Sequence, residues 1–164
     1  EDEIEKEENI KKQKEVFIAQ IEFAKKVKKP LIVHIRDASN DSRQILVDYN
    51  AKEVGGVLHC YNASEHLLPL AEHNFYFGIG GVLTFKNAKK LIEVLPKIPK
   101  DKLLIETDAP YLTPHPHRGE RNEPYYTVFV AQKMAELLEL SVEEIETLTT
   151  KNAKNLFKEF SSFC

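Results

Sequence analysis

The chain has 164 residues, 42 % hydrophobic and 30 % charged, with a mean hydropathy of −0.39, which is the profile of a soluble globular domain with room for one core. No apolar run nears the ~18 residues of a membrane span and no signal-peptide pattern opens the chain, so a cytoplasmic setting is expected, with nuclear or organellar ones left open. Lys and Arg number 23 against 26 Asp and Glu, a net charge of −3, which excludes a nucleic-acid binder that works by global basicity.

Residues 1–15 carry seven acids and four Lys, so a solvated and frayed acidic segment is expected over about the first nine. From Ile10, the spacing of Val16, Phe17, Gln20, Ile21 and Ala24 predicts an amphipathic helix that Pro30 stops. Leu31 to Ile35 reads as a β-strand, and Arg36 to Asn40 as loop and cap for a helix reaching about Tyr49. The unit then recurs. Val57 to Tyr61 is a second strand before a helix over 65–73, and Phe75 to Ile79 a third, trailing into Gly80 and Gly81 before a helix over 87–95. Leu103 to Asp108 is a fourth strand. Residues 109–124 hold four prolines and no periodicity, which marks an unusually long connection, and two helices over 125–138 and 141–160 close the chain.

Strands alternating with helices specify βα units and a parallel sheet. No glycine-rich phosphate-binding motif follows any strand, which leaves a doubly wound sheet or a (β/α)8 TIM barrel. The barrel is favoured because His34, His59 and Asp108 all stand at C-terminal strand ends, where barrel sites are assembled, although a complete barrel takes about 250 residues.

Side chains two apart share a strand face, so His34 is expected beside Ile32 and Arg36, His59 beside Val57 and Tyr61, and Asp108 beside Glu106. Two imidazoles and a carboxylate at three strand mouths suit a divalent metal, and Glu106 with Asp108 could act as acid and base or as ligands. The bland alternative for Glu106 is an ion pair with Arg36. His66 and His73 read as surface residues, and His115 and His117 as ligands or parts of a substrate lid. Cys60 and Cys164 lack CxxC spacing, which argues against a disulfide framework or thiolate zinc site. The scarce arginines Arg36, Arg118 and Arg121 sit in polar segments and suit phosphate contact.

The segments Leu31-Ile-Val-His-Ile-Arg-Asp-Ala38, Leu58-His-Cys-Tyr61, Phe77-Gly-Ile-Gly-Gly81 and Ile105-Glu-Thr-Asp-Ala-Pro-Tyr-Leu112, followed by Arg118-Gly119 and Asn122-Glu-Pro124, closely resemble the TatD family of metal-dependent deoxyribonucleases from about Gln13 to Phe157. The resemblance implies a (β/α)8 barrel of amidohydrolase type, of which this chain supplies roughly the C-terminal two thirds. It also implies two divalent ions, Mg2+ or Zn2+ with Mn2+ a further option, and a metal-activated water that hydrolyses DNA phosphodiesters, preferably in single strands or at 3′ ends. Carried over, it makes His34, His59 and Asp108 metal-binding, Asp108 the group that orients the water and takes its proton, and Arg36, Arg118 and Asn122 substrate-binding or loop-organising; from their positions alone, Glu106 is expected to be catalytic with Asp108, and Arg121 to be substrate-binding.

The chain departs from the family pattern at three places. The family's opening His-x-His and its Gly-Glu-x-Gly-Leu-Asp segment are absent, so the chain is expected to be a fragment that is nearly inactive alone. Asn62-Ala63 stands where the family commonly has small Ser or Gly residues. Two other readings use the same residues: an amidohydrolase-type enzyme for amides or esters, and a non-catalytic barrel remnant that binds or regulates.

Overall fold

The β-branched and aromatic runs become four short parallel strands, β1 (Leu31–His34), β2 (Gly56–His59), β3 (Phe75–Ile79) and β4 (Leu103–Ile105), hydrogen-bonded in chain order. A computed structural model describes residues 3–158. The register pairs Val33 with Leu58, Leu58 with Phe77 and Phe77 with Leu103, and it sets His34 directly beside His59. Every strand therefore ends its chemistry-bearing residues on the same edge of the sheet.

Helices α1 (Glu3–Val27), α2 (Ser39–Asp48), α3 (Lys89–Val94), α4 (Thr127–Leu138) and α5 (Val142–Leu156) pack against one face of the sheet. Val33, Leu58, Phe75, Phe77, Ile79 and Leu103 point toward the helical layer and meet Ile21, Leu46, Leu91, Met134 and Ile145 in one core. Phe75, Phe77 and Leu103 are fully buried. Burial of this kind is worth ~1.5–3 kcal/mol per large side chain and holds the units together.

Several elements depart from their predicted bounds. Helix α1 begins at Glu3 rather than Ile10, so the acidic segment is helical there. Residues 5–13 stay exposed, and Ile21 and Ala24 are its buried anchors, whereas Val16 is half exposed. Lys14 pairs with Asp41 at 2.7 Å, and Lys25 donates to the Tyr49 carbonyl, tying α1 to α2. The stretch Glu65–His73 forms tight 3-10 turns, consistent with Pro69, which lacks a backbone donor, lying inside it. The final helix stops at Leu156 with Ser141 as its N-cap in a reciprocal capping box with Glu144. The predicted end of that helix and Cys164 lie outside the described residues. No helix among the described residues is long and apolar enough to cross a membrane.

Asn152 shows how α5 is fixed. Its buried side-chain amide donates to the carbonyls of Lys100 and Leu103 at 2.9 and 2.8 Å, satisfying backbone acceptors where β4 begins. This places Leu156 against Val57, Tyr76 and Leu104, which lie on the opposite sheet face from the main core. The lower part of that second face is thereby covered, and Ile32, 68 % exposed, remains open on it.

Candidate metal centre

The second face carries Ile32 and His34 on β1, Val57 and His59 on β2, Tyr76 and Gly78 on β3, and Leu104 followed by Glu106 after β4. Apolar residues sit at the lower level and polar ones at the C-terminal end, where the strands open toward their loops. The predicted phase holds for Ile32 with His34 and for Val57 with His59. It fails at Tyr61: Cys60 adopts φ 48°, in the left-handed region, and this reverses the alternation. Tyr61 turns into the main core, edge-on to Phe77 at 4.9 Å, with its hydroxyl donating to the Ser64 carbonyl. Burial raises its hydroxyl pKa.

Strand β4 ends at Ile105, short of the predicted Asp108, yet Glu106 N–H still donates to the Ile79 carbonyl and continues the ladder. Glu106 then meets His59 rather than Arg36. Its Oε2 lies 2.9 Å from His59 Nδ1, and its Oε1 accepts from the Cys60 N–H. On the other side of the same ring, His59 Nε2 lies 3.2 Å from Asp108 Oδ1. His34 stands alongside, its ring centroid 5.9 Å from that of His59.

This arrangement gives each group a distinct position. With Nδ1–H donated to Glu106, a neutral His59 presents a lone pair at Nε2 directly to a carboxylate oxygen of Asp108. Two acceptors 3.2 Å apart repel unless a proton or a cation stands with them. One ligand atom each from His59, Glu106 and Asp108 lies within 4.8 Å of the others, and a nitrogen with carboxylate oxygens is a donor set that divalent ions accept. The residues therefore fit a divalent cation. Glu106, with both oxygens engaged, serves to orient the imidazole, as carboxylates behind metal-binding histidines commonly do.

The electrostatics follow from the same contacts. Burial pulls the His59 pKa down, but Glu106 and Asp108 outweigh it and leave the imidazole above its ordinary value. Burial lifts the Glu106 carboxyl above the usual carboxylate range despite His59 and the Cys60 amide. Burial, then the charges of Asp108 and Glu106, push the Cys60 thiol up to about 12, so it is a neutral neighbour of the cluster.

Gly78 makes room for the site. A Cβ there would overlap the Glu106 carboxylate, so the absence of a side chain makes the space in which Glu106 reaches His59. The Gly78-Ile-Gly-Gly81 run was the available signal.

The remaining candidates lie in loops. Arg36 is exposed and lines, with His34, Asp37, Ser39 and Gln13, a groove of about 1410 Å³ between α1 and the β1–α2 loop. Arg118 lies over the Phe85 ring at 4.1 Å and donates toward the Thr113 carbonyl, organising the Pro-rich segment. Asn122 is 4 % exposed and donates to the Tyr111 carbonyl and the Thr107 hydroxyl, so it too holds the loop. Arg121 is exposed. His115 lies edge-on to Phe85, and His117 stacks on Tyr126 at 4.4 Å while pairing with Glu120; neither joins His59. His66 is exposed and His73 partly so.

The family model described as TatD related DNase matches residues 2–158. The chain belongs to the TatD-related DNase family. Over 147 residues it is 53 % identical to a Bacillus subtilis protein named as an uncharacterized metal-dependent hydrolase, YabD, covering 89 % of the chain and 58 % of that relative. The Escherichia coli K12 protein YcfH, named in the same words, is 42 % identical over 147 residues, covering 89 % of the chain and 56 % of the relative. The chain thus spans somewhat over half the length of these curated relatives. The crystal structure of YJJV, a TatD homologue from Escherichia coli K12, superposes with a TM-score of 0.78 at 28 % identity, covering 85 % of this chain and 54 % of that one. An uncharacterized amidohydrolase from Saccharomyces cerevisiae shares the fold, with a TM-score of 0.75 at 21 % identity. The four-stranded parallel sheet is accordingly part of a (β/α)8 barrel, and the His59 cluster lies at its C-terminal rim.

Proposed function

We propose that these residues form part of a metal-dependent hydrolase that cleaves DNA phosphodiester bonds. The observation that carries the metal is His59 Nε2 facing Asp108 Oδ1 with Nδ1 already committed to Glu106. The support for DNA is membership of a family described as DNases, together with the YabD and YcfH relatives named as metal-dependent hydrolases.

In this reading His59 and Asp108 are ligands, with His34 beside them, and two divalent ions are accommodated at the complete rim. The bound ions supply Lewis acidity toward a phosphoryl oxygen and a more acidic water, with Mg2+, Zn2+ and Mn2+ as candidates. The protein's own part is positional. Glu106 fixes the His59 tautomer and ring plane, Gly78 leaves room for Glu106, and Asp108 offers a second oxygen able to orient a water and accept its proton. Arg36, exposed on the groove beside His34, is the residue proposed to contact a phosphate.

Single-stranded DNA, a blunt duplex and small aryl esters are to be compared on the polypeptide in which these residues occur, with Mg2+, Mn2+ or Zn2+ added. Shortening of single-stranded DNA that needs both metal and Asp108 is the expected result. Ester or amide turnover without DNA cleavage would replace DNA by a small-molecule substrate. Metal binding with no turnover of any of them would leave a binding module.

A further inference from the structure

The segment after Asp108 is fastened along its length. Tyr111 N–H donates to the Asp108 carbonyl at 2.7 Å, closing a four-residue turn that keeps the two Cα atoms within ~7 Å. Asn122 grips both sides of this turn: its side-chain amide donates to the Tyr111 carbonyl at 2.7 Å and its backbone N–H to the Pro110 carbonyl at 3.0 Å. Thr113 is buried and donates its hydroxyl to the Glu120 carbonyl at 2.6 Å, just beyond Leu112 at φ 53°. Little backbone freedom is left at Tyr111.

Its side chain is in the opposite condition. Tyr111 is 74 % exposed, and its ring and hydroxyl make no hydrogen bond or ring contact among the described residues. Nearby rings are used differently: Tyr126 stacks on His117 with planes 3° apart, and Phe129 packs against both. A fixed backbone displaying a free ring one turn from the Asp108 carboxylate has the features of a stacking platform. The ring has two χ angles, so ordering it on a ligand costs little.

We propose that Tyr111 is a nucleobase-stacking subsite for single-stranded DNA, holding the base next to the phosphodiester presented at Asp108. It rests on the DNA reading given above. A chain with net charge −3 gains little from bulk attraction to a polyanion, and base stacking supplies affinity that is indifferent to sequence.

The test is equilibrium binding of a fluorescent single-stranded oligonucleotide, followed by anisotropy in Mg2+, for the wild-type chain and for Tyr111→Phe, Tyr111→Ala and Tyr111→Leu. Tyr111→Phe should bind within about twofold of wild type, and Tyr111→Ala and Tyr111→Leu on the order of tenfold or more weaker. In a set of oligonucleotides each with one abasic nucleoside, one position should cost the wild type that same factor and cost Tyr111→Ala nothing. The subsite is overturned if Tyr111→Ala or Tyr111→Leu binds as wild type, or if the abasic loss persists in Tyr111→Ala. Should the wild type bind metal but no oligonucleotide, the DNA reading fails and the subsite with it, which separates the two failures.

Discussion

The two faces of the sheet are built on opposite rules. The face toward the helices is a continuous apolar layer in which Val33, Leu58, Phe77 and Leu103 stand in register and exclude water. The other face is graded along the strand: Val57, Tyr76 and Leu104 are capped by Leu156 below, and His34, His59, Glu106 and Asp108 gather above. The first face determines whether the chain folds, and the second determines what it can bind. A parallel strand, with neighbours on both edges and side chains on both faces, carries these two functions on alternate residues.

The contrast breaks most visibly by emptying the core. Phe77→Ala is expected to lower stability by ~3–5 kcal/mol in denaturant titration, a large share of a typical margin. On the upper part of the second face the cost falls on binding. Glu106→Gln should weaken divalent-metal binding by roughly 10- to 100-fold, because the His59 ring loses its orienting carboxylate, with little change in melting temperature. Gly78→Ala should imitate it by displacing the same carboxylate.

Two smaller effects concern the loops and the outer layer. Ala63 sits at φ 61°, a conformation disfavoured for residues with a Cβ. Ala63→Gly should raise stability by about 0.5–1 kcal/mol, since relief of left-handed strain exceeds the entropy that Gly loses. Glu65 joins Lys90 at 2.7 Å and Lys97 at 3.2 Å on the outer helical layer, and these lysines hold its carboxyl below the usual range. A depressed carboxylate contributes stability that is present above its unfolded value near ~4.3 and lost as pH falls through its folded value. The melting-temperature gap between wild type and Glu65→Gln should therefore be widest near neutral pH, close on acidification, and shrink in high salt.

Much of this division was legible in the residues. Parallel βα units follow from the alternation of short β-branched runs with helical periods; His34 and His59 are recognisable because each closes a strand, and Asp108 because it follows one. The convergence of Glu106 and Asp108 on His59 follows from their two-residue spacing, although β4 itself stops at Ile105. Local backbone reversals were less accessible. The left-handed Cys60, just past the end of β2, breaks the two-residue period and sends Tyr61 into the core. For Arg118 and Asn122 the sequence leaves substrate contact and loop organisation open, and their packing on Phe85, Thr107 and Tyr111 shows them fastening the loop. Helix α1 starts before its apolar stripe, since helix can extend beyond the stretch that is packed.

The central claim is that the His59–Asp108 pair is a divalent-metal site oriented by Glu106. Calorimetric titration of the purified chain with Mn2+ and Zn2+ at fixed pH, for wild type and His59→Gln, tests it most directly. The account predicts saturable binding by the wild type and a loss in His59→Gln larger than the roughly 10- to 100-fold that an orienting partner is worth. Wild-type binding that is absent, or that survives His59→Gln unchanged in a folded protein, would contradict it.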